Sequence, residues 1–146
     1  TGAQLGGEMS GHIFFKERWY GFDDGLYAAA RLVEILANQT DDADSFFANF
    51  PQDVATPEIN IAVTDDNKFS VEDKLAREGD FGEGIKTTLD GIRVDYQDGW
   101  GLCRPSNTTP ALVMRFEGKD ETALARIKAV FNDALRRVAP DIELPD

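Results

Sequence analysis

The sequence predicts an α+β protein: an antiparallel sheet with helices on one face, preceded by a hairpin and a helix from a separate, incomplete α/β domain. Three observations carry this. Leu124, Ile127, Phe131, Leu135 and Val138 recur at helical spacing near the end of the chain. Several short segments before them alternate apolar and polar residues, as half-buried strands do. The order strand, helix, three or four strands, helix suits a four- to five-stranded, mainly antiparallel sheet rather than alternating parallel units.

The elements follow in order. Gly6-Gly7-Glu8-Met9-Ser10-Gly11-His12 leads into an aromatic, strand-like segment, 13–20. Gly21-Phe22-Asp23-Asp24 turns the chain and offers N-cap carboxylates. Leu26, Ala29, Ala30, Val33 and Leu36 then predict a helix over 24–37. Its centre carries only Arg31 and Glu34 as charges, so it needs a sizeable partner surface. One hairpin and one helix cannot supply that surface. Residues 1–50 therefore read as the tail of a larger domain whose beginning is absent. Residues 44–50 predict a short aromatic helix. Residues 51–57, bounded by Pro51 and Pro57, read as an extended linker.

A second domain is expected over 58–146. Ile59, Ile61 and Val63 alternate with Glu58, Asn60 and Ala62 as a strand does. Ser70-Val71-Glu72-Asp73 is similar to a capping box and predicts a short helix to about Arg77. Asp90-Gly91, between 85–89 and 92–96, is a two-residue hairpin signal. Gln97-Asp98-Gly99 turns the chain again into 100–104. Leu112, Met114 and Phe116 predict another strand. In the final helix Asp120 and Glu121 sit at the positive end of the dipole, Arg136 and Arg137 at the negative end, and Pro140 stops it.

Composition bounds the function. The net charge is −12, which disfavours nucleic acid and anionic membranes as partners. A phosphorylated small molecule remains open, because bulk charge is screened within about 8 Å at physiological salt. No apolar run approaches the ~20 residues of a membrane span, and no signal-like start is present, so a cytoplasmic protein is expected. The single cysteine, Cys103, excludes an internal disulfide and reads as a buried structural thiol.

The chemistry concentrates in Arg104-Pro105-Ser106-Asn107-Thr108-Thr109-Pro110. A guanidinium fork matches phosphate bidentately, and hydroxyls, amide and loop N–H groups can take the remaining oxygens. A polar turn satisfying its own backbone would use the same residue types. From composition alone both readings stand.

Gly7-Glu8-Met9-Ser10-Gly11-His12 resembles the sugar-binding loop of the α-D-phosphohexomutases, in the form of the bacterial phosphomannomutase/phosphoglucomutase branch. The stretch from Phe15 to Gly25 resembles the same branch. Residues 104–110 resemble the phosphate-binding loop of the family's fourth domain. The motifs stand in the family's order, and the resemblance covers essentially the whole chain.

The resemblance implies an intramolecular phosphotransferase (an isomerase of carbohydrate metabolism). It would interconvert hexose 1- and 6-phosphates of mannose and glucose through a phosphoserine and a hexose 1,6-bisphosphate intermediate. It implies Mg²⁺ in the parent enzyme, held by an Asp-rich loop absent from this chain. Residues 1–50 would be the end of domain three, 51–57 a hinge, and 58–146 domain four, with a fold similar to that of TATA-box-binding protein. The chain would then be an excised piece or proteolytic fragment, inactive alone, whose partners are the phosphosugar and the missing N-terminal domains.

By the resemblance Glu8 and Ser10 would contact sugar hydroxyls. His12 would act as acid or base, contact substrate, or brace the loop. Arg104, Ser106, Asn107 and Thr108 would hold the phosphate that is not transferred. Thr109 reads as structural, and Lys16 and Arg18 as a solvated strand edge. Two alternatives stay open: a stand-alone regulatory or protein-interaction module, and a phosphoglucosamine mutase, against which Met9 argues.

Overall fold

The computed structural model describes residues 2–8 and 10–144. Met9, on which the glucosamine distinction rests, lies outside the described residues. The chain divides into two units, Thr1–Pro51 and Gln52–Asp146.

In the first unit β1 (Leu5–Gly7) and β2 (Ile13–Phe15) pair antiparallel, Gly6 opposite Phe14. The expected strand over 13–20 is thus three residues long. Lys16 and Glu17 both donate their amides to the Gln4 carbonyl, and Arg18 takes φ 58°, which ends the extended run. Helix α1 (Gly25–Ala37) follows, with the Asp24 carboxylate accepting from the Tyr27 amide at 3.0 Å as N-cap. Helix α2 (Ala43–Ala48) is capped the same way by Asp42. Arg31 lies over the Phe15 ring at 4.6 Å, and Trp19 stacks on Tyr27 at 4.2 Å. Arg18 and Arg31 each bridge Glu17 and Glu34, closing a four-residue ionic ring.

The second unit is a six-stranded antiparallel sheet with two helices on one face. Its strands are β3 (Val54–Ala55), β4 (Ile59–Ala62), β5 (Ile85–Thr87), β6 (Ile92–Tyr96), β7 (Gly99–Pro105) and β8 (Ala111–Gly118). The order is β3-β8-β7-β6-β5, and β4 follows β3 along the same edge of β8. Val54 and Ala55, read from sequence as linker, are extended but hydrogen-bonded into this edge. Helices α3 (Lys68–Glu78) and α4 (Glu121–Val138) cover the face bearing Ile61, Ile92, Val94, Cys103, Met114 and Phe116, all at 1% exposure or less. Phe131 of α4 meets Phe81 and Phe116, and Gly101 leaves room for its ring. Burying each large apolar side chain here is worth about 1.5–3 kcal/mol.

Two local readings are corrected. Helix α3 starts before Ser70, at Lys68. Thr64 and Asn67 exchange side-chain-to-backbone hydrogen bonds there, at 2.9 and 3.2 Å, and Ser70 Oγ donates back to the Asn67 carbonyl from inside the first turn. The two-residue hairpin lies at Gln97-Asp98, where Tyr96 faces Gly99, and not at Asp90-Gly91. A two-residue turn at Asp90-Gly91 would pair Leu89 with Ile92. The observed register pairs Thr87 with Arg93, one step away, and leaves Leu89 in solvent. Gly91, at φ 80°, is required for another reason: a Cβ there would stand 2.6 Å from the Cys103 carbonyl oxygen.

Candidate functional site

The first-unit loop between β1 and β2 is shaped by its backbone. Glu8 N–H donates to the His12 carbonyl at 2.9 Å, and Gly11 N–H donates to the Glu8 carbonyl at 3.0 Å. Gly11 takes φ 89°, a conformation that favours glycine. Glu8, Ser10 and His12 are all exposed, and Ser10 Oγ donates to the Glu8 carboxylate at 3.2 Å. The loop therefore presents a carboxylate, a hydroxyl and an imidazole together.

His12 is held by Asp23, which the sequence offers as a turn residue and N-cap carboxylate. Its Nδ1 lies 2.6 Å from Asp23 Oδ2, with the two side chains 55% and 41% exposed. Asp24, not Asp23, caps α1, which leaves Asp23 free for this pairing. The hydrogen bond to Asp23, then its charge, raises the His12 pKa above the ordinary imidazole value of about 6.5. Pairing through Nδ1 leaves Nε2 facing outward from the contact.

Arg18, read as a solvated strand edge, is engaged: it makes two hydrogen bonds to Glu34, at 3.0 and 2.6 Å. Lys16 lines a shallow depression beside Arg18, Trp19 and Tyr20.

In the second unit, alternation along β7 and β8 sends Arg104 to the face away from the helices. It shares a row there with Val113 and Asn60. The chain beyond β7 forms a tight loop. Ser106 N–H donates to the Ala111 carbonyl at 2.8 Å, and Ala111 N–H donates to the Thr109 carbonyl at 2.9 Å. Ser106 is 8% exposed, and its Oγ accepts from Thr109 Oγ1 at 2.8 Å and from Thr109 N–H at 3.2 Å. The polar-turn account of this stretch is thus realised for Ser106 and Thr109.

Arg104, Ser106 and Thr108 line one depression of about 570 Å³, together with Glu58, Asn60 and Val113. Asn107 is exposed at the loop tip and is not among its lining residues. Arg104 stands apart from the other arginines. Among the described residues its guanidinium has no carboxylate within 4.0 Å and no hydrogen-bond acceptor, whereas every other arginine has a partner. A half-buried arginine left without a counter-ion in a chain of net charge −12 is a ready anion contact. A larger depression, about 700 Å³, lies between β4, Asn67 and residues 141–144. It carries no lysine or arginine, so it does not compete as a phosphate site.

A residue that sequence reasoning missed is Lys68, at the start of α3. It is 5% exposed and donates to the carbonyls of Ser106 at 2.8 Å and Thr109 at 3.3 Å. Asp65 pairs with it at 2.8 Å. Nothing in the pattern around Lys68 marks it as buried. Cys103 is fully buried, and burial pushes its thiol up to about 12, with the charge of Glu72 adding to the rise. It cannot serve as a nucleophile near neutral pH.

Comparison with known proteins sets these loops in context. Residues 58–134 match the family model for the phosphoglucomutase/phosphomannomutase C-terminal domain. Residues 1–54 match that for the phosphoglucomutase/phosphomannomutase alpha/beta/alpha domain III. A phosphomannomutase/phosphoglucomutase of Pseudomonas putida is 61% identical over 99% of this chain, which spans 31% of that relative. A phosphoglucomutase of Neisseria meningitidis is 54% identical over 90% of the chain and 29% of its own length. The crystal structure of a phosphoglucomutase/phosphomannomutase family protein from Burkholderia thailandensis superposes with a TM-score of 0.87 at 49% identity, over all of this chain and 31% of that one. The chain thus spans about a third of the length of the relatives it matches, and it belongs to the phosphoglucomutase/phosphomannomutase family.

Proposed function

We propose that this chain is the substrate-holding portion of a phosphohexomutase that interconverts hexose 1-phosphate and hexose 6-phosphate. Glu8 and Ser10 contact sugar hydroxyls, and Arg104, Ser106, Asn107 and Thr108 hold the phosphate that is not being transferred. The observation that carries this is Arg104: an arginine without partner among the described residues, beside a prefolded hydroxyl-rich loop, in one depression. Family membership supplies the reaction class.

The division of labour follows from the chemistry. A carboxylate accepts from two vicinal hydroxyls, and a serine hydroxyl donates or accepts. Such a pair serves a sugar in either orientation, as exchange of positions 1 and 6 requires. Gripping the non-reacting phosphate fixes the other end of the sugar for transfer. His12, held at Nδ1 by Asp23, presents Nε2 for substrate contact or proton transfer. The phosphoserine, the bisphosphorylated intermediate and the remaining domains belong to the longer parent protein. Residues 51–53, the part of the 51–57 linker that precedes β3, serve as its hinge, and by itself this chain binds without turning substrate over. The parent is a cytoplasmic enzyme of carbohydrate metabolism in this proposal.

The family implies Mg²⁺. Among the described residues no group of three His, Cys, Asp or Glu stands close enough to hold a metal ion, so these residues do not fit that site. The roles assigned here need no metal. No helix among the described residues is long and apolar enough to cross a membrane.

Titration of the ¹⁵N-labelled chain with glucose 1-phosphate, with glucose as control, tests the proposal. Shifts at 104–108 are expected with the phosphate only, and Arg104→Ala should abolish them. Retention of those shifts in Arg104→Ala would overturn it.

A further inference from the structure

We propose that Lys68 is a positioning residue for phosphate: it presets the 106–109 loop by holding two of its carbonyls, which turns the Asn107 N–H outward. The inference rests on the phosphate-binding reading of that loop and goes one step further.

Lys68 is costly where it stands. A buried ammonium loses hydration, and a cation on the first turn of a helix meets the positive end of the dipole. Its three donors are nonetheless all used. Two go to the carbonyls of Ser106 and Thr109, which bracket the loop, and the third meets Asp65. One point charge from α3 thus fixes both ends of a loop that lies about forty positions later in the chain.

The consequence follows from peptide geometry. In a trans peptide the C=O and the next N–H point in opposite directions. No cis peptide is present among the described residues. The Ser106 carbonyl points at Lys68, so the Asn107 N–H points away from it. Among the described residues that N–H donates to nothing, whereas the N–H groups of Ser106 and Thr109 are taken within the loop. Lys68 therefore leaves the loop with one free backbone donor, fixed in direction before any anion arrives. Fixing a donor in advance lowers the ordering cost of binding.

The test compares the ¹³C,¹⁵N-labelled chain with its Lys68→Met, Lys68→Arg and Arg104→Ala variants, each titrated with glucose 1-phosphate and with glucose. Lys68→Met removes the cation and keeps most of the side-chain volume. It is expected to preserve the dispersed spectrum of the sheet. It should move the carbonyl signals of Ser106 and Thr109 and the Asn107 amide, and weaken binding of the phosphate at least about tenfold. Lys68→Arg keeps the charge but not the point geometry, and should weaken binding less while moving the same signals. Native affinity in Lys68→Met would overturn the proposal, as would lost affinity with an unmoved Asn107 amide. If Lys68→Met does not fold, Lys68→Arg decides: native affinity with displaced loop carbonyls overturns it. A wild-type chain without a phosphate response, or a response retained in Arg104→Ala, overturns the phosphate reading itself and this inference with it. With both of those as expected, an unchanged Lys68→Met removes only the lysine's role.

Discussion

The two units hold themselves together by different means. The sheet unit buries a continuous core: among the described residues every buried hydrophobic side chain belongs to it, from Ile61 to Leu135. The hairpin-and-helix unit buries none among the described residues. It relies on ring stacking of Trp19 on Tyr27 and on the Arg18, Arg31, Glu17 and Glu34 ion pairs. Tyr20 is 82% and Leu26 87% exposed. Helix α1 is well specified locally, with a cap and helical spacing, yet it has no core to face. A correct helix signal is therefore no evidence of a complete domain. In the longer relatives, most of whose length lies outside the matched region, further chain is available to cover such a face.

The sharpest way to break this contrast is to cut into each unit. Phe131→Ala should destabilise the sheet unit by about 3–5 kcal/mol in urea denaturation. The units can be followed separately, since Trp19 reports on one and Trp100 on the other. A loss below about 1 kcal/mol would show that the sheet core is not the dominant support. Gly91→Ala comes next, at about 1–3 kcal/mol, because its φ of 80° and the nearby Cys103 carbonyl both resist a Cβ.

Salt should separate the units in the other direction. At 1 M ionic strength the screening length falls to about 3 Å. Amide exchange over 25–37 should then quicken, while exchange over 121–138 changes little. Equal responses would mean that the ionic ring does not hold the first unit.

The pH response of the first unit is smaller and site-specific. His12 has its pKa raised by Asp23. The stabilising contact is fully present below about pH 6.5, the ordinary value, and is lost as pH rises through the raised folded value. Asp23→Asn should lower the pKa read from the His12 ring protons. An unchanged pKa would remove Asp23 as its cause. The smallest effect is expected at Leu26→Gln, within about 0.5 kcal/mol, because that side chain is already in solvent.

Much of the local structure was legible. The helix over 24–37, with an N-cap carboxylate from the Asp23-Asp24 pair, and the final helix, with Asp120 and Glu121 at its start, follow from short-range rules; the structure puts the caps at Asp24 and Asp120. So does the alternation that sends Leu112, Met114 and Phe116 to one face. The failures share a cause. Asp90-Gly91 carries a strong turn signal, but Gly91 is needed where β7 passes close, and the two-residue turn falls at Gln97-Asp98. Ser70-Val71-Glu72-Asp73 fits a capping pattern, but Thr64 and Asn67 already close the helix start upstream. In the candidate site, the loop residues could be read from the sequence, but their supports could not. Asp23 lies eleven positions from His12, and Lys68 thirty-eight from Ser106. Neither pairing leaves a periodic or adjacent trace.

Residue order alone determined the α+β class, the two long helices, the inward faces of the strands and the two polar loops. These depend on interactions within a few residues, which sequence spacing encodes. Tertiary structure alone decided that Arg104 lacks a partner among the described residues, that Asp23 rather than solvent meets His12, and that Lys68 is buried beneath the 106–109 loop. Each is a matter of which distant groups the folded chain brings within hydrogen-bond distance, and that depends on strand register and helix packing rather than on neighbours in the sequence.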